Sequence, residues 1–134
     1  MEFRGHPLVS SLHPTTIEVT TEDHLTSRGD CIIGVSATSG CSQLPDEVKS
    51  RIRRQGARLR MTISVGSESF VVTALGGPEL SLSHPRDIVI RKSGFVSDRT
   101  LAVKASAASR NIPRSIVSAL KAPGSSGSLM IEVL

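Results

Sequence analysis

The chain has no tryptophan and no tyrosine, and its aromatic complement is Phe3, Phe70 and Phe95. Proteins that read single-stranded nucleic acid stack bases on aromatic rings, so recognition of that kind has almost no platform here. Cysteine is scarce too. Cys31 and Cys41 form neither a disulfide framework nor a paired Cys-x-x-Cys zinc motif, so both are expected as free thiols, Cys31 in the interior. No apolar run approaches the roughly 20 residues of a membrane helix, and the first residues carry no signal-peptide stretch, so no membrane partner and a cytoplasmic location are expected. One Asn and two Gln are a low load of thermolabile amides, the composition of a thermophilic source.

What is present fits one folded domain. At 134 residues, 38% hydrophobic and 21% charged, the chain can build a single core without staples, and the whole span 1–134 is expected to be one α+β domain. The net charge of +4 conceals a pattern. Residues 1–48 hold two basic and seven acidic side chains, residues 49–60 six basic and no acid, and residues 88–134 seven basic and two acidic. Charge segregated in this way points to an anionic ligand or a polyanionic partner.

Along the chain, Phe3 to His6 reads as a short strand closed by Pro7. Thr15 to Thr20 alternates, with Ile17 and Val19 facing one way and Thr16, Glu18 and Thr20 the other, as in a half-buried strand. Thr21 to Leu25 reads as one helical turn. Cys31 to Val35 is apolar and β-branched without alternation, which predicts a central strand covered on both faces. Before it, Gly29 offers a positive-φ turn that would set Arg28 and Asp30 side by side at the strand's mouth.

A helix follows from about Pro45 to Gln55. Pro45 suits its start, Asp46 and Glu47 the positive end of the dipole, Arg53 and Arg54 the negative end, and Leu44, Val48 and Ile52 form one apolar stripe. Residues 57–65 alternate as a strand, and Gly66-Ser67 suits a two-residue type II′ hairpin loop. That register opposes Val65 to Glu68, Ile63 to Phe70, Met61 to Val72 and Leu59 to Ala74. Further strands are expected at Asp87–Arg91, Thr100–Lys104 and Ser128–Leu134, and a second helix at Pro113–Lys121. No internal repeat is evident. The sum is an α+β fold with a mainly antiparallel or mixed sheet of about six to seven strands and two main helices.

The segments Gly5-His6-Pro7, His13 with Thr15, Thr16 and Glu18, Leu25 to Val35, Asp87 to Ser93, and Ser97 to Lys104 resemble a family of small archaeal proteins known as domain of unknown function 371. The resemblance covers most of the chain. It implies an archaeal origin and attaches to no named catalytic motif.

Three constellations carry candidate chemistry. His6, His13 and His84 each precede a proline, and imidazoles converging beside Asp30 could act as acid and base groups, but their spacing matches no metal motif and no metal is expected. Arg91-Lys92-Ser93 and Ser97-Asp98-Arg99-Thr100 combine guanidinium and hydroxyl groups, which suit phosphate or carboxylate recognition. Brought near Arg28, they define an anion pocket of Arg28, Asp30, Arg91, Ser93, Asp98 and Arg99 with His6 and His13 close by. The rival reading is an RNA- or DNA-backbone-binding accessory protein using Lys49, Arg51, Arg53, Arg54, Arg58 and Arg60, because phosphate contacts need only charge. No nucleophile stands out, and the sequence alone leaves catalytic residues, cofactors and oligomeric state open.

Overall fold

The computed structural model describes residues 1–134. It contains β1 (Glu2–Arg4), β2 (Thr16–Thr20), β3 (Ile32–Gly34), α1 (Asp46–Ile52), β4 (Arg58–Val65), β5 (Glu68–Leu75), β6 (Asp87–Arg91), β7 (Thr100–Ala102), α2 (Arg114–Lys121) and β8 (Ser126–Val133). The strands form two four-stranded sheets, ordered β1-β8-β4-β5 and β3-β2-β6-β7. An α+β fold is what the patterning predicts, with eight strands where about six to seven are expected.

The β4–β5 hairpin has the predicted register, pairing Val65 with Glu68 through Leu59 with Ala74. Gly66 takes the positive φ of 60° that a type II′ turn requires at its first position. Single antiparallel bridges, Arg4 to Val35 and Leu75 to Val103, then tie the edges of one sheet to those of the other. Each bridge is a reciprocal pair of backbone hydrogen bonds of 2.7–2.9 Å. The two sheets thus join at both sides into a ring, each junction made by one bridge.

Three expectations are corrected by the structure. β3 is not central: it ends its own sheet and owes its cover to the bridge to β1. The central, fully buried strand is β2, every residue of which is buried. Gly29 does not adopt positive φ; a side chain there would instead press on Leu25 and Ile32, whose Cδ1 atoms would lie 2.6 and 3.2 Å from its Cβ. Thr21 to Leu25 makes bends rather than a helical turn, with the Thr20 hydroxyl accepting the Glu22 N–H at 3.2 Å.

The structure also reveals a repeat that the residues conceal. Exchanging β1–β4 for β5–β8 reverses each strand order onto itself, which is the mark of a twofold relation between halves. Residues before the β2–β3 connection correspond to those 71 further on, and residues after it to those 68 further on, because that connection is longer in the first half. The correspondence holds in detail. Parallel pairs Glu18–Ile32 and Val19–Gly34 match Val89–Thr100 and Ile90–Ala102, with the register shift at the same step. Ser11 and Leu82 share φ of 52° and 50°, Ser36 and Lys104 of 49° and 54°, Gly56 and Gly124 of 75° and 74°. Before each helix a 3-10 turn is held by an amide side chain, Gln43 Oε1 to Gly40 N–H at 2.6 Å and Asn111 Oδ1 to Ala108 N–H at 2.9 Å.

The axis passes between pairs of equivalent residues that face each other, Glu18 with Val89 on one sheet and Thr62 with Met130 on the other. Inside the ring lies a core cluster of 31 buried residues. Its packing breaks the symmetry by size exchange. Phe3 fits because Gly34 and Gly127 have no side chains; a Cβ at Gly34 would overlap the Phe3 ring, and one at Gly127 would come within 2.7 Å of it. At the equivalent places in the other half stand the small Ala74 and the larger Ala102 and Leu59, so volume removed from one position is returned at its neighbours.

Candidate functional site

The register of β2 against β6 sorts their side chains into two rows. Ile17, Val19, Ile88 and Ile90 point into the core. Thr16 opposite Arg91, Glu18 opposite Val89 and Thr20 opposite Asp87 form the outer row. This row is covered by the chain entering β3 and β7, where Cys31 and Arg99, equivalent residues of the two halves, flank the axis. Their carbonyls accept the N–H groups of Glu18 and Val89 at 2.9 and 2.8 Å.

Polar chemistry concentrates here. The Arg99 guanidinium, 42% exposed, sets Nη1 3.3 Å from Glu18 Oε1 and donates to Asp87 Oδ2 at 3.0 Å. Asp87 Oδ1 accepts from the Thr20 hydroxyl at 2.8 Å, and His84 Nε2 lies 3.9 Å from Asp87 Oδ2. Arg91 donates from Nε to Thr100 Oγ1 at 2.9 Å and from Nη2 to Ser97 Oγ at 3.2 Å. Its guanidinium stacks 4.9 Å over the Phe95 ring, a contact worth about 0.5–1 kcal/mol at an exposed site.

Burial governs the electrostatics. Glu18 is 5% exposed, and loss of water pushes its carboxyl up to about 7; Arg99 pulls the other way, and Asp87 adds to the rise. Burial also pushes the Cys31 thiol up to about 11, helped by Glu18 and Asp30, and the Cys41 thiol up to about 12. Neither thiol is thereby activated as a nucleophile at neutral pH. Burial lowers Arg91, with Arg99 beside it; at Arg99 burial acts in the same direction but is outweighed by Glu18 and Asp87, so that arginine ends above its ordinary value. The arrangement holds one proton of Glu18 poised near neutrality beneath a cation whose Nε and Nη2 make no hydrogen bond to the protein.

Of the residues singled out from sequence, Arg91 and Arg99 meet in this cluster. Asp30 lies half-buried next to Cys31. Its carbonyl accepts the N–H groups of Leu12 and His13, just as that of Asp98 accepts those of Ser83 and His84; the Asp98 side chain is exposed. Ser93 is exposed, its hydroxyl accepting the Phe95 N–H at 3.3 Å, and Arg28 is exposed and joins none of the others. The histidines serve turns. His6 Nδ1 accepts the Leu8 N–H, His13 Nδ1 those of Thr15 and Thr16, and His84 Nδ1 those of Arg86 and Asp87, at 2.9–3.2 Å.

Cys31 is half-buried, more open than its apolar surroundings predict, whereas Cys41 is buried. Glu18, Asp87 and Thr20 are the site residues that alternation alone did not reveal. The cover that buries Glu18 comes from Arg99, some 80 positions away in sequence, and no local signal announces it.

In the basic segment, Lys49 pairs with Asp46 at 3.6 Å, Arg51 with Glu47 at 3.4 Å and Arg60 with Glu132 through two donors at 3.0 and 3.2 Å. Arg53, Arg54 and Arg58 have no carboxylate partner. No helix is long and apolar enough to cross a membrane.

A ring of eight strands in two equivalent halves, with one buried carboxyl on the axis, defines the class as a twofold-repeated α+β fold. The chain belongs to the family described as Domain of unknown function (DUF371), whose model matches residues 1–134. It is 38% identical over 125 residues, 90% of this chain and 92% of the relative, to Uncharacterized protein MJ0206 of the archaeon Methanocaldococcus jannaschii.

Proposed function

We propose that this chain binds a small anion at the Glu18–Arg99 cluster, with Arg99 and Arg91 as the cations and Glu18 as the proton-handling group of an enzyme. The observation that carries the reading is Glu18 itself. An acid 5% exposed and titrating at about 7 destabilises the fold when ionised, and such groups concentrate where chemistry needs them. Arg99 spends one nitrogen on the two carboxylates and turns the remainder outward, a geometry suited to a carboxylate or phosphate oxygen. A neutral Glu18 beneath it is a proton donor, an ionised one an acceptor.

The test is a side-chain and backbone NMR titration with inorganic phosphate, acetate and succinate. Saturable shifts at Arg99 and Glu18 that Arg99→Ala abolishes are expected. No saturable shift there with any of the three, or shifts that survive Arg99→Ala, overturns the reading.

The polyanion reading is favoured by one observation, the three unpaired cations Arg53, Arg54 and Arg58. Its test is fluorescence anisotropy on duplex RNA and DNA at low salt. Binding lost when these three are changed to Glu, with Arg99→Ala silent, would establish it in place of the small anion.

A further inference from the structure

The twofold repeat supplies an internal control for a second site. Two cavities occupy equivalent places in the halves, each where an outer strand meets the residues just past the parallel strand of the opposite sheet. One, of about 360 Å³, is lined by Arg58, Thr73, Leu75, Lys104, Ser106 and Leu134 over a floor of Leu59 and Ala74. The other, of about 410 Å³, is lined by Ser126, Glu2, Arg4, Ser36 and Thr38, with Phe3 and Gly124.

Their backbone frames coincide. Ser106 N–H donates to the Thr73 carbonyl at 2.8 Å and Thr38 N–H to that of Glu2 at 2.9 Å. The Ser106 hydroxyl accepts the Thr73 N–H at 3.0 Å, and the Thr38 hydroxyl accepts the Glu2 N–H at 3.1 Å. The hollow itself therefore follows from the fold and signifies nothing.

The lining does not follow from the fold. Where one half has Ser126, Ser36, Arg4 and Glu2, the other has Arg58, Lys104, Leu75 and Thr73. The first set carries one cation and one carboxylate, which offset each other. The second carries two cations, neither with a carboxylate partner, beside Leu75 and Leu134, which are 42% and 60% exposed. Leu75 and Leu134 leave apolar surface in water at the rim of a basic hollow. A ligand with both an anionic head and an apolar tail would cover that surface and neutralise the cations.

We propose that this cavity binds an amphipathic organic anion, its carboxylate or phosphate head between Arg58 and Lys104 and a short aliphatic tail over Leu75 and Leu134. The site is separate from the Glu18–Arg99 cluster and stands or falls without it.

Titration of the full chain with hexanoate and hexyl phosphate, followed by backbone NMR, tests the proposal against acetate, inorganic phosphate and hexylamine. Saturable movement of the amides of residues 58, 75, 106 and 134 with the hexyl anions is expected, about tenfold weaker with acetate, inorganic phosphate and hexylamine. Arg58→Ala and Lys104→Ala should each weaken hexanoate about three- to tenfold, while Arg4→Ala in the equivalent cavity should leave it unchanged. All three side chains are exposed, so these variants keep the fold. Hexylamine binding as well as hexanoate, an unaltered affinity in the Arg58→Ala/Lys104→Ala double variant, or no saturable movement at these amides overturns the proposal. Whichever head binds more tightly identifies the ligand as a carboxylate or a phosphate ester.

Discussion

Glu18 and Val89 face each other across the β2–β6 pair and are equivalent residues of the two halves. The twofold axis thus runs past a carboxyl on one strand and an isopropyl group on the other, both buried at 5% and 1% exposure.

Stability should fall as pH rises through the range set by Glu18. The unfolded chain releases this proton near 4.5 and the folded chain near 7, so between those values the folded form holds the extra proton. The contribution is complete below about 4.5 and declines to about 3 kcal/mol less by neutral pH. Glu18→Gln should remove this decline and be the more stable protein at about pH 8. Chemical denaturation of both proteins across the range measures it; parallel curves would refute the assignment.

Arg99→Ala should leave Glu18 and Asp87 close together without their shared cation. Because Arg99 is 42% exposed, the loss is about 1 kcal/mol, and the Glu18 titration should move still higher, since Arg99 now holds it down. Carboxyl chemical shifts of Glu18 followed against pH report the second effect directly. A downward movement would contradict the geometry.

Much of the architecture is legible in local pattern, and the failures share one cause. The hairpin is readable because alternation and the Gly66-Ser67 turn agree over adjacent residues. Arg91 and Arg99 are readable as cations near hydroxyls. Glu18 reads as a solvent-facing residue because alternation reports which side of a strand a residue occupies and not what later covers that side. The repeat is hidden for a similar reason. What the halves share is backbone geometry and turn chemistry, as in His13-Pro14 and His84-Pro85 or Pro45 and Pro113, while core volumes are redistributed and one connection is longer.

The size exchange around Phe3 gives a prediction in packing. Gly34→Ala should destabilise by about 2–3 kcal/mol, because its methyl overlaps the Phe3 ring. Phe3→Leu alone should cost about 1–2 kcal/mol for the space it leaves. The double variant should cost less than the sum, and a double-mutant cycle by urea denaturation reads the difference; strict additivity would mean that the two sites do not share that volume.

His84→Ala should cost about 1 kcal/mol, since Nδ1 satisfies the N–H groups of Arg86 and Asp87. His84→Asn, whose side-chain oxygen can cap the same turn, should recover part of it. Equal losses in the two variants would show that the ring is needed for something other than its acceptor.

A homodimer of identical chains cannot place a lone acid on its symmetry axis, because whatever stands there stands twice and two buried carboxyls would repel. Joining the halves in one polypeptide lifts that restriction. It frees position 18 to carry a proton while position 89 supplies only hydrocarbon, and it lets Cys31 and Arg99, equivalent places on either side of the axis, diverge into a thiol and a guanidinium. The central cluster is therefore a kind of chemistry closed to a homodimer of this fold and open to it once the two halves can differ.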